Sequence, residues 1–70
     1  MSNIAMGIKH AMLTKGVRQK FVAERAGFSS QQFSDMLNGR KIIKAEYLPA
    51  IAKAIGVSVD ELYAAGRDVC

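Results

Sequence analysis

The chain has 70 residues, a net charge of +4 and a single cysteine, and these features exclude several classes of protein. A chain of this length buries only about 60 % of its surface on folding, so it has no room to enclose both a large substrate and a cofactor. The lone Cys70 cannot form an internal disulfide, and no apolar run reaches the roughly 18 residues of a membrane span. We therefore expect one cytoplasmic domain over residues 1–70 that has no membrane span.

The positive charge is concentrated in the first two-thirds of the chain. Residues 1–45 carry eight lysines and arginines against two acidic residues, a net charge of +6, whereas residues 46–70 have a net charge of −2. A basic segment of this kind favours an acidic partner, with nucleic acid or an anionic membrane as the first candidates. The partner surface is predicted to lie in the first segment.

The apolar residues recur at steps of three and four between glycine-marked breaks, which predicts an all-α fold, a compact bundle of five helices. Helix 1 is expected over residues 3–15, with Ile4, Ile8 and Met12 on its inner stripe. Helix 2 is expected over about residues 18–26, with Gly27 free to adopt the left-handed conformation that ends a helix.

The third helix has the clearest start signal. Ser29 and Gln32 have the spacing of a capping box, in which each side chain bonds the other residue's amide. Phe28 and Phe33 flank this box as a hydrophobic staple. The helix is predicted to end at residues 38–39, where an Asn-Gly pair supplies the stop.

The last two helices are predicted over about residues 48–65, after a basic linker at residues 40–46. Pro49 lacks an amide and fits only the first turn of a helix, so helix 4 is expected to begin near Leu48. A second capping box, Ser58 with Glu61, opens helix 5. That helix is expected to fade near Gly66, with the final four residues frayed.

Residues 18–29, together with Gln31, Phe33, Met36, Asn38 and Gly39, resemble the helix-turn-helix of the Cro/C1-type phage repressor family, also called the XRE family. Residues 47–62 resemble the fourth and fifth helices of the same family. The likeness covers about residues 4–66. It implies a lambda repressor-like fold whose helix-turn-helix spans about residues 18–38 and whose third helix enters the major groove of duplex DNA.

The polar face of helix 3 is the candidate base-reading surface. Its short polar side chains can donate to or accept from base edges: Ser30, Gln31, Ser34 and Asp35. Gln31 can pair with N6 and N7 of adenine. The alternative interpretation is that Gln31 is only a polar residue on the surface of the helix. Asp35 can accept from N4 of cytosine, but its carboxylate repels phosphate, and the family more often has an amide or basic side chain there.

A second group is predicted to contact phosphates because it lies at the start of helix 2 or directly after helix 3. The residues are Arg18, Gln19, Asn38, Arg40, Lys41 and Lys44. The alternative interpretation of the basic run after helix 3 is a solvated loop that does not contact DNA. The resemblance further implies dimerisation through the corner between helices 4 and 5 and the C-terminal residues, including Val59 and Tyr63.

The remaining side chains offer no other chemistry. His10 has no second ligand at metal spacing and is expected at the surface, and Phe21 is expected to fill core space that the small Ala26 leaves empty. The chain has no arrangement of nucleophile and base. We therefore expect a non-enzyme without cofactor, metal or small-molecule substrate.

The sequence thus predicts a transcriptional regulator, a repressor, that binds a two-fold operator in double-stranded DNA as a homodimer. Three alternatives stay open: the autoregulator of a toxin–antitoxin pair, a restriction–modification controller, and a protein-interaction module that has kept the fold and lost DNA binding. The acidic helix 5 and Asp35 favour the last of these.

Overall fold

Five α-helices and one short 3-10 helix follow one another along residues 3–68, the part of the chain that the computed structural model describes. The α-helices are α1 (Asn3–Lys15), α2 (Gln19–Ala26), α3 (Ser30–Leu37), α4 (Leu48–Ile55) and α5 (Val59–Asp68). The 3-10 helix, Ala45–Tyr47, occupies the end of the predicted linker and leads directly into α4. These residues contain no strand, so the predicted all-α fold is confirmed.

The core is formed by side chains from all five α-helices. Its largest fully buried members are Phe33, Ile8, Ile51, Leu62 and Val22. The inner stripe predicted for α1 is confirmed, because Ile8 and Met12 are buried and Ile4 packs against the core. Every buried residue of the core is apolar among the residues described, so burial of hydrocarbon holds the helices together.

The predicted starts of α3 and α5 and the predicted end of α2 are confirmed. The Ser29 hydroxyl accepts from the Gln32 amide at 3.1 Å, and Gln32 Oε1 accepts from the Ser29 amide at 3.0 Å, which completes the first capping box. Gly27, with φ of +90°, closes α2 in the left-handed conformation. For the second predicted box, the structure shows one of the two bonds, in which the Ser58 hydroxyl accepts from the Glu61 amide at 3.1 Å.

Helix α5 continues past the point at which it was predicted to end. Gly66 lies inside the helix, which reaches Asp68, so the expected fading near Gly66 is wrong. The reason is the close crossing of α1 and α5: a Cβ built on Gly7 would overlap the Leu62 carbonyl oxygen and lie 2.8 Å from the Gly66 amide nitrogen. Gly66 therefore serves a tight helix contact, and Cys70 lies outside the described residues.

Phe21 is the one aromatic residue that was placed wrongly. It is 45 % exposed, and the Arg25 guanidinium lies over its ring, 5.1 Å from the centroid. Ala26 is half-buried and packs against the edge of the core. Stacking with a cation on the surface of α2 accounts for the position of the ring.

The described residues offer neither a membrane-spanning helix nor a cluster of metal ligands. None of their helices is both long and apolar enough to cross a bilayer. No group of three His, Cys, Asp or Glu side chains is placed to hold a metal ion in that part of the chain.

Candidate nucleic-acid interface

Helices α2 and α3 form one rigid unit. Three residues, 27–29, connect them, and Val22 and Ala23 of α2 share the core with Phe33 of α3. Phe28, in the turn, stacks on Phe33 with ring centroids 6.3 Å apart, and it meets Tyr47 edge-on at 5.1 Å. The turn is thus fixed by aromatic contacts on both sides, which sets the angle at which α3 leaves α2.

Helix α3 has one apolar face and one polar face. Phe33, Met36 and Leu37 are buried. On the other face, Ser30 and Gln31 are exposed, and Ser34 and Asp35 are half-buried. All four candidate base-reading residues therefore lie on the side of α3 that the core leaves open.

The polar side chains of α3 are also bonded to one another and to the loop that follows. Gln31 Nε2 donates to Asp35 Oδ1 at 2.9 Å, and Arg40 Nη1 lies 3.6 Å from the same oxygen. Asn38 Nδ2 donates to Ser34 Oγ at 3.2 Å. Sequence reasoning missed these contacts, although the four-residue spacing of Gln31 and Asp35 is the spacing at which helical side chains meet.

The loop after α3 presents exposed positive charge. Arg40, Lys41 and Lys44 are exposed, and the Lys44 amine lies 6.0 Å from the centre of the Tyr47 ring. The Arg40 and Lys41 amides donate to the Asp35 carbonyl oxygen at 2.8 and 3.2 Å, which fastens the start of the loop to the end of α3. The cations therefore follow directly from the polar face of α3.

The start of α2 supplies the remaining predicted phosphate contacts. Arg18 and Gln19 are exposed, and the Arg18 side chain makes no cap bond to its own helix. Both side chains are therefore available to a ligand. The two candidate dimer residues differ in exposure: Val59 packs partly on the core, whereas Tyr63 is 44 % exposed.

A groove that the sequence did not predict lies between the start of α1 and the basic loop. It has a volume of about 460 Å³. Two exposed apolar residues line it, Met6 at 40 % exposure and Ile42 at 84 %, and Lys9 and Lys41 supply positive charge to its lining. The position of Ile42 between basic residues was the only signal of this groove in the sequence.

Two short helices joined by a tight turn, the second with an open polar face followed by a basic loop, define a helix-turn-helix module. A family model described as a helix-turn-helix domain matches residues 6–65, and the chain belongs to this family. The match confirms the predicted family and is consistent with the Cro/C1-type resemblance. It supports DNA as the partner and transcription regulation as the role. No solved structure matches the chain significantly.

Proposed function

We propose that the protein is a Cro/C1-type repressor that binds a two-fold operator in duplex DNA as a homodimer, with residues 1–70 acting as one cytoplasmic DNA-binding domain. The observation that carries the proposal is the continuous surface formed by the open polar face of α3 and the exposed cations beside it. In this arrangement α3 lies in the major groove.

The two groups of side chains have different tasks. Ser30 and Gln31, in the first turn of α3, reach base edges, because the first residues of a recognition helix are the ones that contact bases. The predicted phosphate contacts are the cations Arg18, Arg40, Lys41 and Lys44, together with the polar Gln19 and Asn38. Such contacts fix the register of the protein on the duplex without reading its sequence.

A selection from a pool of short duplexes with a randomised centre tests the proposal directly. We expect two related half-sites whose centres lie about 34–36 Å apart, which is one turn of B-DNA. A pool that shows no enrichment would contradict DNA recognition. Enrichment of a single, unrepeated half-site would contradict the two-fold operator.

Alanine substitutions separate base reading from phosphate binding. We expect Gln31→Ala to weaken binding to the selected operator by about 5- to 150-fold for each half-site and to leave binding to random duplexes unchanged, because it removes one base contact per protomer. Lys41→Ala is expected to weaken binding to both kinds of DNA and to lower the salt slope by about 2, because each protomer of the dimer loses one phosphate contact. Fluorescence anisotropy with both duplexes measures these changes.

Lys53→Ala serves as the matched control, because Lys53 is an exposed lysine on α4 outside the proposed surface. It is expected to retain the affinity of the wild type. Equal losses on random DNA for the Gln31 and Lys41 variants would contradict the assignment of Gln31 to base reading.

The proposed dimer rests on α5, and Tyr63 offers the clearest test. Tyr63→Ala is expected to weaken self-association at least about 5-fold in sedimentation equilibrium, because a buried aromatic at an interface often contributes more than 1 kcal/mol. Phe21→Ala is the control, since Phe21 is an aromatic residue of nearly equal exposure on α2. A wild-type complex of one protein chain per two-fold operator would contradict the dimer.

The groove beside the basic loop favours a second candidate, a protein-interaction module of the same fold. The exposed Met6 and Ile42 give this surface an apolar character that DNA backbone does not require. The duplex selection separates the two candidates, because an interaction module that has lost DNA binding enriches no sequence. Autoregulators of toxin–antitoxin or restriction–modification systems would bind DNA by the same surface, and the neighbouring genes distinguish them.

A further inference from the structure

The Asp35 carboxylate connects the side chain proposed to read a base with the loop proposed to bind phosphates. Gln31 Nε2 donates to Asp35 Oδ1 at 2.9 Å, and Arg40 Nη1 lies 3.6 Å from the same oxygen. The Asp35 side chain is only 19 % exposed, whereas that of Arg40 is 71 % exposed. The Asp35 carboxylate is therefore less accessible to a ligand than is expected of a charged residue on the open face of α3.

We propose that Asp35 is a positioning residue that orients the Gln31 amide and thereby makes Gln31 select adenine over guanine. Asp35 itself reads no base, which differs from the role that the sequence predicted for it. This inference rests on the proposed function and specifies the base that the site selects. It is carried by the two contacts that converge on Oδ1.

The preference for adenine over guanine follows from the hydrogen-bonding groups of the Gln31 amide, which has two N–H donors and one carbonyl oxygen. The bond to Asp35 fixes which end of the amide is the nitrogen, because turning the amide over would bring two oxygen atoms together. One N–H of Gln31 is then held by Asp35. The other N–H and Oε1 remain free as a neighbouring donor and acceptor.

Adenine matches this donor and acceptor, whereas guanine does not. In the major groove adenine presents the N7 acceptor beside the N6 donor, while guanine presents two acceptors, N7 and O6. A Gln31 held by Asp35 would place Oε1 against one guanine acceptor. Without the bond to Asp35, the Gln31 amide can turn and direct both of its N–H groups to guanine. The preference for adenine therefore depends on Asp35.

Arg40 compensates the charge that this arrangement brings near DNA. A lone carboxylate on the groove-facing side of α3 would repel phosphates, and the guanidinium beside it offsets that repulsion. The loop itself does not depend on the carboxylate, because the Arg40 and Lys41 amides bond the main-chain carbonyl of Asp35. Substitution of the Asp35 side chain therefore leaves the loop attached to α3.

Two variants of Asp35 test the proposal. Duplexes selected by the full-length wild type serve as probes, each with one adenine of the half-site changed to guanine. One base position is expected to lose its preference in Gln31→Ala. At that position we expect the wild type to prefer adenine over guanine by roughly 5- to 150-fold. Asp35→Ala is expected to lower this preference to less than about 3-fold, because the acceptor is lost. Asp35→Asn retains an oxygen that accepts from Gln31, and the Arg40 guanidinium beside this position favours that oxygen over the amide nitrogen, so the variant is expected to keep most of the preference.

The comparison of the two variants removes the effect of charge. Both substitutions delete one negative charge, so both are expected to raise affinity for random duplexes, and only the adenine-to-guanine ratio distinguishes them. Thermal unfolding of each variant verifies that it is folded at the assay temperature. An unchanged ratio in Asp35→Ala would overturn the proposal, as would an equal loss in Asp35→Asn.

A double-mutant cycle with Gln31→Ala completes the test. In the Gln31→Ala background, Asp35→Ala is expected to cause no further change in base preference. Independent losses at two different base positions would show that Asp35 reads a base itself and would overturn the proposal. Failure of the proposed function has a different result: the wild type enriches no sequence, or Gln31→Ala changes no base preference.

Discussion

Gly7→Ala is expected to lower the free energy of unfolding by about 2–3 kcal/mol and the melting temperature by about 10–20 °C. Gly7 is buried where α1 crosses α5, and a Cβ there would overlap the Leu62 carbonyl oxygen. The next nearest atoms, the Gly66 amide nitrogen and Cα, also belong to the main chain, at 2.8 and 3.2 Å. No flexible side chain can move aside, so α5 as a whole must shift.

The sign of this effect is diagnostic, because helix propensity alone predicts the opposite result. Alanine in place of glycine inside a helix is favourable by roughly 0.5–1 kcal/mol when nothing lies near the new Cβ. Thr14→Ala, at an exposed position of the same helix, is the control and is expected to stay within about 0.5 kcal/mol of the wild type. Urea denaturation measures both variants, and stabilisation by Gly7→Ala would contradict the close crossing.

The features of this fold that the sequence predicted are those whose causes lie within a few residues along the chain. The capping box of Ser29 and Gln32 involves neighbours three residues apart, so its pattern is visible in the sequence and its bonds occur in the structure. The same holds for Gly27, whose left-handed conformation ends α2 locally. For the same reason, the amphipathic faces of α3 were assigned correctly.

One feature that the sequence did not predict depends on a contact between distant residues. Gly66 resembles a helix stop when only its neighbours are considered, but its role is set by Gly7, nearly the whole chain away. Another was missed although its cause is local: a volume argument assigns Phe21 to the core, whereas Arg25, four residues along the same helix, provides a partner for it at the surface.

Asp35 shows a further limitation at the candidate site. Its residue type indicated a free carboxylate facing DNA, whereas the structure bonds it to Gln31, one helical turn away, and places the Arg40 guanidinium of the loop beside it. A residue that seemed to weaken the DNA-binding surface is instead part of a bonded arrangement within it. Assignment of site residues by type alone therefore identifies the surface but not the role of each member.

The largest expected effect on binding is the response to salt. Each protomer presents four cations at the proposed surface, Arg18, Arg40, Lys41 and Lys44, so a dimer offers eight, or six if Arg40 stays paired with Asp35. With a slope of about −0.9 per neutralised phosphate, the logarithm of affinity is expected to fall with the logarithm of salt concentration with a slope between about −5 and −7.

Between 50 and 200 mM salt, this slope corresponds to a loss of affinity of about 10³- to 10⁴-fold. Binding titrations across this range on the selected duplex measure it, and Lys53→Ala serves as the control with an unchanged slope. A monomer with the same contacts would give a slope of only about −3 to −4. A slope near zero would contradict phosphate binding by these residues, because each released counterion must appear in the salt dependence regardless of the base sequence bound.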